Sequence, residues 1–214
     1  MTSKLRLFNA ALGEVGHEEV DDTGEPITAA RRLVSAWDDV VAECLSAGSW
    51  NFAMETVRID ADTGVTPGFG APKVFAKPSD WVRTYAVSTD ENFSAPLIDY
   101  LDDDNFWSAH SSPIYVRYVS NDTGLGMDLA RWTPLFARYV ALELADRVCL
   151  RINQSESTKE RIGKDRDKAK KLAKNQDAMD EAQPKFPPTS SWTLARYGSS
   201  GGRRDRGSRG SLIG

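Results

Sequence analysis

Apolar residues recur along this chain with two different periods, and the change of period divides it. Leu5, Leu7, Phe8, Ala11 and Leu12 keep helical spacing, which predicts a short helix ending at Gly13 or Gly16. Residues 21–26, Asp-Asp-Thr-Gly-Glu-Pro, are turn formers and predict a loop. From about residue 27 to 47, Ile27, Ala30, Val34, Trp37, Val41 and Cys44 form a seam at alternating steps of three and four. Leu33, Val40 and Leu45 widen it. The pattern predicts a core-facing helix with Trp37, Val41 and Cys44 as packing residues and Gly48 at its C′ position.

Beyond Gly48 the period falls toward two. Residues 50–59, WNFAMETVRI, alternate through Trp50, Phe52, Met54 and Ile59 and predict a strand. A Gly/Pro-rich loop over 62–72 follows. Short strands are predicted at 73–76, 81–87 and 96–101, a turn at 102–105, and the clearest strand at 114–119, IYVRYV. Short strands at this spacing predict a small antiparallel sheet or barrel inserted between helices.

The helical period returns after a loop over 121–126. Thr133 then Pro134 is a helix start: a hydroxyl that accepts from free N–H groups, then a residue with no N–H to satisfy. Leu135, Phe136, Tyr139, Val140, Leu142, Leu144, Val148, Cys149 and Ile152 spread over an arc wider than a surface helix needs. This predicts a central helix, packed on the 27–47 helix, that brings Cys149 and Cys44 to one core. Phe136, Tyr139, Val140 and Cys149 are its packing residues. Its charges exclude a membrane span. Ser157 and Glu160 have capping-box spacing and predict another helix to about residue 182, with a thin stripe of Ile162, Ala169, Leu172, Ala173 and Met179. Such a helix packs on one side only or stands at a subunit contact. Phe186-Pro187-Pro188 ends helical structure. The fold class expected is α+β: a helical body from 1–48 and 127–182, a β region over 49–126, and an extended arm over 183–214.

Charge adds the next division. The net charge is −4, yet the segment from Lys185 onward carries +5 and the rest −9. General nucleic-acid affinity of the whole chain is excluded, and an acidic body with a basic arm is implied. No cleavable signal segment is expected at the N-terminus. Two cysteines on apolar helix faces read as buried thiols in a reducing compartment. Candidate chemistry is sparse. His17 and His110 lack metal-ligand spacing, and Gly64, Gly68 and Gly70 open no helix, so no phosphate loop forms. Asp102, Asp103 and Asp104 are consecutive, and three such side chains cannot converge on one cation. No cofactor, metal or catalytic set is expected. In the arm, Phe186, Trp192 and Tyr197 are candidate anchors. Arg196, Arg203, Arg204, Arg206 and Arg209 are candidate partners for carboxylates or phosphates.

One layout unites these features. A helix over 27–47 leads to Ser-Trp-Asn-Phe-Ala at 49–53, then Pro72-Lys73 and Lys77-Pro78-Ser79-Asp80-Trp81-Val82-Arg83 with an inserted β region. A Thr-Pro-Leu-Phe helix, a lysine-rich helix and an aromatic, basic tail follow. This resembles the head-to-tail adaptor proteins of tailed bacteriophages, most nearly the tail tubular protein A type, over roughly residues 5–197. The Gly/Arg-rich ending from Gly198 departs from the family's pattern. The resemblance implies a structural virion protein at the head–tail junction, assembled in the host cytoplasm. It implies a ring, usually of twelve subunits, between the portal protein and a downstream tail nozzle. Genomic DNA passes through such a ring without sequence-specific binding. The resemblance places portal docking on residues 186–209, with Trp192, Arg196 and Tyr197 foremost. A reading from another class is a nucleic-acid-binding regulator that uses the arginine tail, for which DNA affinity falls with salt. An enzyme with an acidic site at 102–104 is the third.

Overall fold

Helix caps fix where the chain turns in this computed structural model, which describes residues 2–65 and 71–180. Helix α1, Lys4–Val15, starts at Ser3, whose hydroxyl accepts from the Arg6 amide, and ends at Gly16 with φ of 79°. That left-handed conformation suits a residue without Cβ. Helix α2 runs Thr28–Ser46. Its seam is rotated from the one expected. Ala30, Leu33, Trp37, Val40, Val41, Cys44 and Leu45 are buried, whereas Ile27 and Val34 are 38% and 42% exposed. A wide apolar arc can be centred on either edge by spacing alone; the position of the facing helix decides which edge is covered.

Trp50 corrects the first strand. It does not extend a ladder: residues Asn51–Ala53 form one 3-10 turn and β1 spans only Met54–Ile59. The Trp50 indole N–H donates to the Cys44 carbonyl at 2.9 Å, and its ring meets Phe136 edge-on at 4.7 Å. The side chain is folded back under α2, its indole against Gly48. Burying this large aromatic in the helical core outweighs continuing the strand.

The β region contains two three-stranded antiparallel sheets. One has order β1-β6-β3, with β3 at Trp81–Ser88 and β6 at Ile114–Ser120. The other has order β2-β5-β4, with β2 at Lys73–Ala76, β4 at Tyr100–Asp102 and β5 at Phe106–Ala109. Ile114, Val116 and Tyr118 on β6 face a core with Phe75, Val87, Trp107 and Ala109. Thr84 joins the sheets, accepting from the indoles of Trp81 at 3.1 Å and Trp107 at 3.0 Å. The strand expected over 96–101 is reduced to Tyr100–Asp102. Pro96 has no N–H for a ladder, and the amides of Ser94 and Ala95 are drawn to the Asp90 carboxylate. Strand β5, buried from Trp107 to Ala109, shows no alternation and escapes a period-two search.

Helix α3, Pro134–Ile152, is capped by Thr133, whose hydroxyl accepts from the Phe136 amide at 3.3 Å. Eleven of its residues are buried, because α1, α2 and α4 all pack against it. Helix α4, Glu156–Asp180, starts two residues earlier than the Ser157–Glu160 spacing predicts: the Ser155 hydroxyl accepts from the Thr158 amide. Its buried stripe is Ile162, Ala169 and Ala173; Leu172 and Met179 are exposed. One helical core holds Trp37, Val41, Cys44, Phe136, Tyr139, Val140 and Cys149. It also takes in Val119 at the end of β6 and Ala53 before β1. Both ends of the β excursion are thus anchored under the helices.

Candidate functional site

The docking arm proposed from the sequence, Phe186, Trp192, Arg196, Tyr197, Arg203, Arg204, Arg206 and Arg209, lies outside the described residues. The predicted packing residues are brought together. Burial pushes the Cys44 thiol up to about 12. Cys149 is likewise raised by burial. Both thiols are free and protonated at neutral pH, so neither is a nucleophile. Trp132 and Trp107 are core residues that spacing did not reveal. Trp132 sits at a loop end and Trp107 in a four-residue strand, where one aromatic leaves no periodic trace.

Polar side chains converge at the base of the β region. The Tyr118 hydroxyl lies 3.1 Å from Glu55 Oε2 and 3.1 Å from Asp80 Oδ2, and the Ser120 hydroxyl donates to Asp80 at 2.5 Å. Burial and the neighbouring Asp80 raise the Glu55 carboxyl above its ordinary range. For Asp80, burial acts in the raising direction, but hydrogen bonds from Ser120 and Tyr118 and its own backbone win, and the carboxyl is lowered. The pair therefore holds one proton more readily on Glu55. Asp80→Asn is expected to cost about 1–2 kcal/mol at neutral pH, since it removes the carboxylate that accepts from Ser120 and Tyr118. The lowered Asp80 contributes stability above the ordinary aspartate range and loses it as pH falls through its folded value. The Asp80→Asn deficit should shrink on acidification; urea unfolding at two pH values measures it.

The acidic run is not a cation site. Asp102 forms an ion pair with Lys77 at 2.6 Å, and Lys77 also donates to the Asp103 carbonyl at 2.5 Å. The Lys77 ammonium stands 3.6 Å from the centre of the Trp81 ring, with its side chain 5% exposed. Lys77 thus pins the β4–β5 turn to Trp81 on β3 of the first sheet through charge and aromatic contact. Among the described residues no cluster of His, Cys, Asp and Glu fits a metal ion, and no helix is long and apolar enough to cross a membrane.

The remaining features are surfaces. Between α1 and α3 a groove of about 500 Å³ is lined by Leu7, Ala10, Trp132 and Ala141, with Arg6 and Arg138 at its margin. Between the first half of α2 and the end of α3 lies a groove of about 300 Å³. Its walls carry Arg31, Arg32, Arg147 and Arg151, with Thr28, Ser35 and Asp39. Arg147 pairs with Glu43; Arg31, Arg32 and Arg151 have no ion pair among the described residues. On α4, burial and the nearby Lys170 and Arg83 lower the Lys174 ammonium. Arg166 ties α4 to α3 through Asp146 at 2.6 Å, with the buried Glu143 at 3.7 Å. Asp177 ties the end of α4 to the 3-10 turn, accepting from the Asn51 amide at 3.0 Å. Comparison with known protein families and with curated proteins finds no match.

Proposed function

We propose that this chain is a structural assembly protein whose surfaces, rather than a reaction centre, carry its function. Within that class we read it as a head-to-tail adaptor of a tailed bacteriophage, a ring-forming virion protein beneath the portal that continues the DNA channel toward the tail nozzle. The observation that carries the reading is the order of elements: two helices, a β excursion leaving at Trp50 and returning before Trp132, then two helices, the order of the family that the sequence resembles. Both ends of the excursion are fastened to the helical core by Ala53 and Val119, so the β region can project while the helices form a ring wall. Rings of this kind use heterologous contacts, in which one face of each subunit meets a different face of the next.

The basic C-terminal segment serves in this reading as the portal-docking arm. Deleting residues 183–214 is expected to leave the body folded, since the helical core lies within residues 7–173, and to abolish attachment to the portal ring. Cosedimentation with portal rings and electron-microscopic imaging of the product check this. A truncated chain that docks as well as the full chain moves portal recognition to the body. A full chain that forms no ring with the portal and instead binds DNA in a salt-dependent way, lost on removing residues 198–214, establishes the nucleic-acid reading.

A further inference from the structure

Two oppositely charged surfaces on this chain stand unneutralised although they adjoin in sequence. The loop between α1 and α2 carries Glu18, Glu19, Asp21, Asp22 and Glu25, and none of the five has a cationic partner among the described residues. Glu18, Glu19, Asp21 and Asp22 are exposed. Asp22 and Glu25 shape the loop by accepting from the amides of Gly24 and Asp21. Directly after it, α2 presents Arg31 and Arg32 on the wall of the α2–α3 groove, joined there by Arg151 from α3. The loop supplies no residue to that groove. The five loop carboxylates and the arginines that follow them at 31 and 32, with Arg151 from α3, thus leave one another unpaired, which is the arrangement expected when each is directed at a different neighbour.

From this charge complementarity we infer that the arginine groove between α2 and α3 receives the acidic 18–25 loop of a second copy of this chain. Guanidinium forks match carboxylates in two-point hydrogen bonds, and Thr28 and Ser35 offer hydroxyls beside them. The groove's own Asp39, together with the −9 charge of the chain before Lys185, opposes a long phosphate backbone lying along it. Groove and loop are different surfaces, so the contact is heterologous and propagates from copy to copy. The inference deepens the ring assembly proposed above and rests on it.

Sedimentation of the full chain at low and high salt, with two charge-reversed variants, tests the contact. The wild-type chain is expected to self-associate at low salt and to dissociate as salt rises. Arg31→Glu with Arg32→Glu, and separately Glu18→Lys with Glu19→Lys, should each weaken self-association by about tenfold or more, because exposed ion pairs are individually weak but act together here. Mixing the two variants should restore association between unlike chains, a result that also requires both to be folded. A wild-type chain that stays monomeric at low salt overturns the inference, as does association that survives either reversal. Loss of DNA binding with association intact in the arginine variant assigns the groove to nucleic acid and overturns it equally. A chain that builds rings on a portal while ignoring both reversals refutes this contact and leaves the adaptor reading standing. Association through this contact without any engagement of a portal refutes the adaptor reading instead.

Discussion

Val41→Asp should abolish the native fold. Val41 is fully buried in the helical core on α2, among side chains that offer a carboxylate no partner. Placing an unpaired charge there costs more than about 4 kcal/mol, a large share of the stability of an ordinary domain. Thermal unfolding followed by circular dichroism should show a midpoint lower by about 10 °C or more, or no cooperative transition. Val34→Asp is the control. It lies two turns earlier on the same helix at 42% exposure, and a change there should stay within about 1 kcal/mol. Asp and Val have similar helix propensity, so the difference between the variants isolates burial. Equal midpoints would show that the observed seam is not the covered face of α2.

Gly126→Ala should be the most damaging single-methyl change. A Cβ at Gly126 would sit 2.0 Å from the Ser120 carbonyl oxygen and 3.3 Å from Leu45. The first neighbour is backbone at the end of β6 and cannot rotate away, so the loop itself must move. That loop is coupled to the core. The Trp132 indole donates to the Gly126 carbonyl at 2.8 Å while its ring stacks on Trp37 at 6.0 Å and meets Phe136 edge-on at 4.9 Å. Displacing Gly126 strains all three contacts, at a cost of about 3 kcal/mol. Gly163→Ala provides the opposite result. Nothing lies within 4 Å of its Cβ position, and it is inside α4. A gain of about 0.5–1 kcal/mol is expected there, since alanine is the better helix former. Paired denaturant titrations decide both; a tolerated Gly126→Ala would mean that the 121–126 loop adjusts without disturbing Trp132.

The long helices were legible because they repeat a signal. Thr133-Pro134 and the apolar arc behind it define α3 to within a residue, and Gly16 ends α1 where a residue tolerant of positive φ was needed. The β region was legible as a kind of structure but not strand by strand. Ile114, Val116 and Tyr118 alternate along β6 and make it plain, whereas Phe106–Ala109 is four residues long and buried on both faces. The acidic run at 102–104 also changed meaning. Only the approach of Lys77, twenty-five residues earlier, turns Asp102 from a solvated charge into half of an ion pair.

By itself, then, the sequence determined the helices, the Thr133 cap and the glycine that ends α1, the presence of a β excursion and the division between an acidic body and a basic tail. Those are local properties: spacing, capping chemistry and summed charge act over a few residues or need no geometry at all. Tertiary structure alone decided which edge of α2 is covered, that Trp50 folds back beneath it, that the strands divide into two sheets, and that the arginines at 31, 32 and 151 line one groove. Each of those depends on which distant segment packs against a given face. Packing selects among locally equivalent arrangements by burying the largest side chains, and that choice is not written in any single stretch of chain.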